Sequence, residues 1–466
     1  MIRAAQPSCL PLLLVLVLVS APVLALVLIS PLAAADSLEC RSWLEQQRTQ
    51  LDAADILDAG SVPVEGHPHL RVDRWLAFLH GEVKTPAAEQ VWLNLAAAEG
   101  LRAWQAELRR LHGGGGDWED RLALCSHSMT RHTSFYGVSA PSVPDSYATW
   151  QRVLGVYPLA KIAASPSLRR YQRDMTERFH RPVRLPLHHY LPEPFKGNVP
   201  TPGELAPNAL DLPIPRGATR DAMLAHYAPV LSIADPKEVN RPGTVYLEGG
   251  VPGIDSEHAV AYQWLSWTRY RGHNLLQLNY QFWFSRRPAK GRFDIYAGEL
   301  DGVIWRVTLK PDGNVLYYDS IHSCGCYHKV FPVARGLYPA SAGGDRPVYY
   351  PELAPDAARE RISLLLEPDT HYLVRVAAFR PEGELHRYQS LDADRLRQLD
   401  DRQGGFGSLY DHRGLVPASR RPERLLLWPL GVPSAGAMRQ PGRHAVAFVG
   451  KRHFDDPQLP DALFRR

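Results

Sequence analysis

The chain has 466 residues, enough for two or three domains, and charged residues make up 22% of it. This composition is typical of a folded globular protein and excludes a largely disordered one. The formal net charge is only +4 and no long basic run occurs, so we expect no nucleic-acid partner. Arg420, Arg421 and Arg424 are accordingly expected on the solvated surface.

The N-terminal segment carries the clearest targeting signal. Arg3 precedes an almost continuously apolar stretch over residues 10–32, which ends in three alanines before Asp36. Small residues after an apolar stretch are typical of a signal-peptidase site, with Ala35 as the last residue removed. The stretch also reaches the roughly 20 residues that span a bilayer. Residues 1–35 are therefore predicted to be a signal peptide or a membrane anchor. The rest of the chain is expected to be exported, either periplasmic or anchored to the inner membrane facing the periplasm.

Cysteine usage agrees with export, because an oxidising compartment permits disulfides. Four cysteines follow the predicted leader, namely Cys40, Cys125, Cys324 and Cys326. Cys40 and Cys125 flank a region with helical periodicity, and a disulfide between them would staple it. Four cysteines allow three complete pairings, and the sequence leaves the choice among them open.

Residues 36–140 are predicted to form a helical module. Val72, Trp75, Leu76 and Leu79 have the spacing of one helix face. Thr85 before Pro86 is typical of an N-cap followed by proline at the first helical position, and the glycines at 113–116 end that helix. Residues 141–242 are rich in proline and are expected to form a mixed connecting region.

From residue 243 the pattern changes to short apolar runs separated by turns. Runs over 259–270 and 275–284 flank a hairpin loop, and Asp301-Gly302 is predicted to be a turn. Further strands are expected at 425–427 and 445–449. The expected fold class is α+β, with the helical module followed by a larger, mainly antiparallel β-rich domain over 243–466, sandwich or barrel-like in form.

The densest group of reactive side chains is Asp-Ser-Ile-His-Ser-Cys-Gly-Cys-Tyr-His at residues 319–328. Every second residue from its first histidine is a potential metal ligand, giving His322, Cys324, Cys326 and His328. On a regular strand these side chains would share one face, but a rise of roughly 3.3 Å per residue would separate the two histidines by roughly 20 Å. Either Gly325 lets the chain fold back, or an adjacent pair combines with ligands from elsewhere.

Three chemical interpretations of this group are open. The first is a metal site, because Cys and His suit zinc and thiolates also suit copper(I). Residues that could complete it are His258, His371, His444 and His453. The second is thiol–disulfide chemistry, because a disulfide within Cys-Gly-Cys is strained and easily reduced. The third is a nucleophilic cysteine with a distant histidine as its base. A structural role for the pair is the alternative to all three.

Other polar and aromatic groups carry weaker signals. His444 and His453 bracket a short apolar run and could face one rim. Adjacent side chains in an extended chain point opposite ways, so His188 and His189 are expected to be structural or surface residues. A run of aromatic residues is expected in the core, or as a stacking platform for a glycan or a protein partner. Its members are Trp264, Trp267, Tyr270, Tyr280, Trp283, Tyr296 and Trp305.

The first functional hypothesis is a metal-binding protein of the cell envelope that holds a zinc or copper ion and acts as a metal-dependent hydrolase. The alternatives are a thiol–disulfide redox protein using Cys324 and Cys326, and a non-catalytic envelope protein that binds a glycan or a partner. Whether the chain is an enzyme stays open, and no catalytic residue is assigned. No phosphate loop, His-Glu-x-x-His or Gly-x-Ser-x-Gly motif occurs.

Overall fold

The computed structural model describes residues 21–181, 186–235, 237–340, 345–350 and 361–465, with side chains from residue 37 onward. Residues 1–20 of the predicted signal peptide or anchor lie outside the described residues. For its residues 21–35 the structure describes the backbone but not the side chains. Within the described part of the chain, no helix is both long enough and apolar enough to cross a membrane.

The N-terminal part is helical. In chain order its elements are α1 (Ala21–Ala54), β1 (Val62–Val64), β2 (His67–Val72), α2 (Arg74–His80), α3 (Pro86–His112) and α4 (Trp118–His132). Helix α3 begins as predicted, because the Thr85 hydroxyl accepts a hydrogen bond from the N–H of Ala88 at 3.2 Å. The same helix ends at Gly113, which has a φ of +80°.

A disulfide joins Cys40 on α1 to Cys125 on α4 across 85 residues of sequence. Both cysteines are buried beside Leu44, Trp104 and Leu108, the core that α1, α3 and α4 share. By chain entropy alone, closing a loop of this length stabilises the fold by about 4–5 kcal/mol. The disulfide thus fixes α1 to the rest of the helical part.

The connecting region and the β-rich domain build the rest of the structure. Their elements are α5 (Thr149–Leu154), α6 (Tyr157–Phe179), β3 (His188–Pro192), α7 (Gly217–Tyr227), β4 (Val230–Ile233), β5 (Thr244–Glu248), β6 (Val251–Asp255), β7 (Val260–Tyr270), β8 (His273–Arg287), β9 (Gly298–Leu309), β10 (Val315–His322), β11 (Lys329–Pro332), β12 (Tyr338–Pro339), β13 (Val348–Tyr349), β14 (Ile362–Leu366), β15 (Leu373–Ala378), β16 (Glu384–Asp392), β17 (Leu399–Asp400), β18 (Phe406–Gly407), α8 (Arg424–Leu427), α9 (Leu459–Leu463) and β19 (Phe464–Arg465).

An eleven-stranded sheet organises this part, in the order β13-β11-β10-β9-β8-β7-β16-β3-β4-β14-β15. It curls into a half-barrel. The α+β class is therefore confirmed, but the sheet is mixed rather than mainly antiparallel. Strands β11 and β13, β4 and β14, β3 and β16, and β7 and β16 pair in parallel.

The parallel pairs arise because distant segments insert into the sheet. Strands β3 and β4 come from the predicted connecting region, yet β3 lies between β16 and β4 inside the sheet. Prolines on both sides of β3 gave that stretch the pattern of a linker. Parallel neighbours have to be joined by long crossover connections, because a tight turn can join only antiparallel strands.

Local patterns predicted some turns and missed others. The hairpin between β7 and β8 turns through Arg271 and Gly272, with φ of +50° and +85°. In contrast, Asp301-Gly302 lies inside β9, so the prediction of a turn there was wrong. Residues 425–427 belong to helix α8, and Ala445 forms a single β-bridge with His453 instead of a strand.

The main core lies on one face of the sheet, under helices α6 and α7. Tyr280 and Trp305 are fully buried in this core, and Trp283 is fully buried in the cluster on the other face. These three aromatic side chains therefore serve packing and are not accessible to a glycan.

Candidate functional site

The segment from His322 to His328, the thiol loop, connects β10 to β11. Gly325 has a φ of +90°, a backbone conformation that glycine adopts without strain. Its N–H donates to the carbonyl oxygen of His322 at 2.8 Å, and the N–H of His322 donates to that of Cys326 at 3.0 Å. A Cβ atom at Gly325 would lie 2.5 Å from the carbonyl oxygen of Ala445. The glycine thus lets the chain fold back and pack closely against the C-terminal segment.

The loop holds two free thiols side by side. Cys324 is buried, Cys326 is partly exposed, and neither is in a disulfide. The backbone N–H of Cys326 donates to Sγ of Cys324 at 3.4 Å. A hydrogen bond from the Cys326 thiol lowers the pKa of Cys324, and Arg421 acts in the same direction. That hydrogen bond, together with burial, raises the pKa of Cys326. Cys324 is therefore the more acidic thiol of the pair, and Cys326 is the less acidic one.

Both thiols face a mostly apolar cavity of about 350 Å³. This size lies within the usual range of ligand sites. Tyrosines and aliphatic side chains from α6, α8 and the C-terminal segment form most of its wall. Among the lining residues are Leu168, Tyr171, Tyr296, Tyr327, Tyr372, Leu426, Leu427, Val432 and Phe448.

Two carboxylates line this cavity, Asp345 and Glu423, and Glu423 is the one that acts on the thiols. Its side chain is buried, and burial raises its pKa to about 7, although the Arg421 guanidinium acts in the opposite direction. Its charge in turn raises the pKa of both Cys324 and Cys326. A carboxyl group with a pKa near neutrality can both donate and accept a proton, which is what acid–base catalysis requires.

A buried ionic network lies behind the cavity and is centred on Asp301. Arg421 donates to Oδ1 of Asp301 at 3.2 Å, and Nδ1 of His371 lies 2.8 Å from Oδ2. Burial opposes ionisation of Asp301, but Arg421, His322 and His371 together hold its pKa well below the usual range. His371 has a φ of +50° and stacks on Phe284 with ring centroids 4.0 Å apart. The network fixes Arg421, which in turn acts on Cys324 and Glu423.

His322 belongs to this network. Its Nδ1 lies 3.5 Å from Oδ1 of Asp301, and burial lowers its pKa to about 4, with Asp301 acting in the opposite direction. The imidazole is therefore neutral at physiological pH. Its ring lies against Tyr327 and Tyr372, with centroids 4.9 Å and 5.5 Å away.

The two predicted histidine ligands lie on opposite faces of the sheet. In the β10–β11 register, Lys329 is opposite Ser320 and Val330 is opposite Asp319. Because side chains alternate along a strand, His328 shares a face with Asp319, whereas His322 does not. Nε2 of His328 lies 3.2 Å from Oδ2 of Asp319, which also pairs with Arg306. His328 still contributes to the wall of the thiol cavity.

The other proposed ligands contact separate partners. His444 donates from Nε2 to the carbonyl oxygen of Ser323 at 3.1 Å, His453 lies 3.0 Å from Asp145, and exposed His258 lies 2.9 Å from Asp255. In the described part of the chain, His322, Cys324, Cys326 and His328 do not form a group with donor atoms within 4.8 Å of one another. The group that does so is His188, Glu384 and His386.

Lys329 carries a buried amine, and no pattern in the sequence distinguishes it. Burial lowers its pKa to about 7. Its Nζ lies 5.7–6.0 Å from the ring centroids of Tyr171, Tyr327 and Tyr372. Perturbed amines and carboxyls concentrate at functional sites, so Lys329 and Glu423 add weight to this region.

Sequence reasoning missed Glu423 and placed Arg421 wrongly. Arg420 and Arg424 are exposed as expected, but Arg421 is buried with only 1% of its surface accessible. The pattern Arg-Arg-Pro-Glu resembles a solvated charged run, and no local signal distinguishes its buried members. Their burial depends on β9 and the thiol loop, both about a hundred residues earlier in the chain.

No protein-family model, curated protein or solved structure matches this chain.

Proposed function

We propose that the protein is a thiol–disulfide oxidoreductase that uses Cys324 and Cys326. One observation carries this proposal: two free, adjacent thiols with pKa values shifted in opposite directions face a single apolar cavity. The more acidic thiol of such a pair supplies the attacking sulfur in its thiolate form, and the other thiol supplies the resolving sulfur.

The reaction would proceed through a mixed disulfide. The Cys324 thiolate attacks one sulfur of a substrate disulfide, forms a bond to it and releases the other substrate sulfur as a thiolate. Cys326 then loses its proton and attacks Sγ of Cys324, which releases the second substrate sulfur. The substrate disulfide gains two electrons and two protons, and the protein thiols are oxidised to a disulfide. A dithiol reductant would return the electrons.

Glu423 would manage the protons of both steps. With a pKa of about 7, its carboxyl group can protonate the first leaving thiolate. The resulting carboxylate can then accept the proton of Cys326 and pass it to the second leaving thiolate. The apolar wall favours a substrate whose disulfide lies next to aliphatic or aromatic groups, because burying such surface stabilises the complex.

The test uses full-length protein in detergent micelles with a fluorogenic dialkyl disulfide. Wild type should reduce it, and Cys324→Ser should abolish the reaction. Cys326→Ser should accumulate a mixed disulfide on Cys324, visible by mass spectrometry. Cys9→Ser removes a thiol outside the loop and serves as the matched control. Equal activity of wild type and Cys324→Ser would refute the proposal.

A metal-binding role for the same loop is the second candidate. Its support is that two adjacent free thiols face one cavity, because thiolates are soft ligands that suit copper(I) or zinc. A metal-dependent hydrolase would use such an ion to activate water. Elemental analysis of wild type and of the Cys324→Ser, Cys326→Ser double variant distinguishes the two candidates. If the loop binds a metal, wild type contains a stoichiometric ion that the double variant lacks, whereas a thiol–disulfide pair leaves the metal content of both proteins the same.

We also propose that the protein is exported and works at a membrane surface. The apolar stretch over residues 10–32 supports export, and so does the Cys40–Cys125 disulfide, since such bonds persist in oxidising compartments. A basic apolar face lies near the cavity, on α5, the start of α6 and α8. Its exposed members are Trp150, Val153, Leu154, Leu159, Ile162, Leu425 and Leu426, with Arg420 and Arg424 beside them.

The charge of this face favours an anionic bilayer. Residues 146–173 contain no Asp or Glu but five basic residues, and apolar side chains with arginines are typical of interfacial helices. Protein with and without Leu154→Asp and Leu425→Asp would be mixed with vesicles of anionic lipid and of zwitterionic lipid. We expect the protein to float with anionic vesicles, and we expect the two substitutions to reduce this flotation. Equal flotation of both forms would assign any binding to the N-terminal segment alone.

A further inference from the structure

A second group of potential ligands lies on the sheet at the pairing of β3 with β16. These strands run parallel, with Glu384 opposite His188 and His386 opposite Tyr190. Because alternate residues of a strand share a face, His188, Glu384 and His386 project to the same side. His189 points to the other side, where Nδ1 lies 2.7 Å from the Ser232 hydroxyl.

The donor atoms of the three side chains are close together. Nδ1 of His188 lies 3.4 Å from Nε2 of His386 and 3.4 Å from Oε2 of Glu384. The same Nε2 and Oε2 atoms are 3.8 Å apart. Zinc bonds of roughly 2.0–2.1 Å at tetrahedral angles require donor separations of roughly 3.3–3.4 Å. The three distances therefore match a tetrahedral site after a shift of a few tenths of an ångström.

From this geometry we propose that His188, Glu384 and His386 bind a divalent transition-metal ion, with zinc as the best fit. Two imidazoles and one carboxylate form the ligand set of open zinc sites, in which water or a substrate takes the fourth position. That position would face a cavity of about 380 Å³. The metal would thus remain accessible to small anionic or neutral ligands.

The surroundings hold the ligands in place. The ring of His386 stacks on Tyr190 at 5.0 Å and on His188 at 5.7 Å between centroids. Arg241 lines the same cavity and is paired with Glu257 at 3.1 Å. The Glu384 carboxylate supplies the negative charge that a cation needs.

This site is independent of the thiol pair. Strands β7, β8 and β9 separate β16 from β10 in the sheet, so the two groups occupy different regions. The metal site also lies outside the residues that the sequence predicted as ligands. Its failure would leave the oxidoreductase proposal intact.

The test measures Zn²⁺ binding by full-length protein stripped with a chelator. All variants carry Cys324→Ser and Cys326→Ser, so that the thiols cannot contribute. The background protein, which carries only these two substitutions, should bind one Zn²⁺. Glu384→Gln or His386→Ala should weaken Zn²⁺ binding by roughly tenfold or more. This loss is at least as large as the one that follows from changing residues that only support a metal ligand. Glu382→Gln, an exposed carboxylate two residues away, is the matched control.

Co²⁺ alone provides a second readout, because its visible absorption reports tetrahedral nitrogen and oxygen coordination. The background protein and Glu382→Gln should give the same spectrum, and Glu384→Gln should lose it. Absence of Zn²⁺ uptake by the background protein would overturn the proposal. Equal Zn²⁺ affinity of Glu384→Gln, His386→Ala and the background protein would also overturn it.

Discussion

Cys326 donates its backbone N–H to Sγ of Cys324 at 3.4 Å, so the thiol loop stabilises a thiolate on one of its own cysteines. The side-chain thiol of Cys326 acts in the same direction, and the two residues share one cavity. A pair of this kind divides the work of attack and resolution between two sulfurs.

The first prediction concerns the pKa of Cys324. Cys326→Ala removes the thiol donor, which contributes most to lowering that pKa, and should therefore raise it. Cys326→Ser restores a donor and should reverse part of the change. The pH dependence of alkylation of Cys324, followed by peptide mass spectrometry, measures the effect. Identical profiles for wild type and Cys326→Ala would show that the thiol does not act on Cys324.

The second prediction concerns Glu423 and the stability of the fold. Its pKa is 4.5 in the unfolded chain and about 7 when buried, so the folded state favours the protonated form. Stability should be full below pH 4.5 and fall as the pH rises to about 7, by about 3 kcal/mol. Glu423→Gln should remove this loss. The urea midpoints of wild type and Glu423→Gln at the acidic and the neutral end of this pH range provide the measurement. Equal shifts of the two midpoints with pH would contradict the prediction.

Buried His444 should have the opposite dependence on pH. Burial lowers its pKa from 6.5 to about 3, so the folded state favours the neutral ring. This contribution to stability is present above pH 6.5 and is lost as the pH falls from 6.5 toward 3. His444→Gln should reduce that loss, whereas His258→Gln, at an exposed site, should not. Chemical unfolding in acid compares the variants, and equal slopes for both would contradict the prediction.

Lys329 should destabilise the fold at neutral pH. Its pKa is about 7 when buried and 10.5 when exposed, so stability is lost as the pH falls from 10.5 to about 7. Lys329→Met keeps the aliphatic part of the side chain and should raise the free energy of unfolding at neutral pH by about 1–3 kcal/mol. Lys161→Met, at an exposed position, is the control. A less stable Lys329→Met protein would show that the amine stabilises the fold through its contacts with Tyr171, Tyr327 and Tyr372.

Local sequence patterns predicted the elements whose causes are local. Thr85 and Pro86 marked the start of α3, and the alternating aromatic runs gave the β7–β8 hairpin. Asp301-Gly302 has the sequence of a turn, yet the pair lies within β9, because Arg421 and His371 supply partners for the buried carboxylate. Tertiary contacts thus overrode a local preference.

The candidate site was predictable only in part. Cys324 and Cys326 were found because they lie two residues apart in one loop. Glu423 was not found, because it approaches that loop from about a hundred residues later in the chain. His188 and Glu384 are nearly two hundred residues apart in sequence, and only the parallel pairing of β3 with β16 places them together. Single-sequence periodicity contains no information on such pairing.

The redox stoichiometry of the thiol loop tests whether Cys324 and Cys326 act as a redox pair. Reduced full-length protein would be mixed with a dialkyl disulfide in the absence of any other reductant, and both would be followed by mass spectrometry. We expect the peptide containing Cys324 and Cys326 to lose two hydrogen atoms for each substrate disulfide reduced. A peptide that stays in the dithiol form while the substrate persists would contradict it.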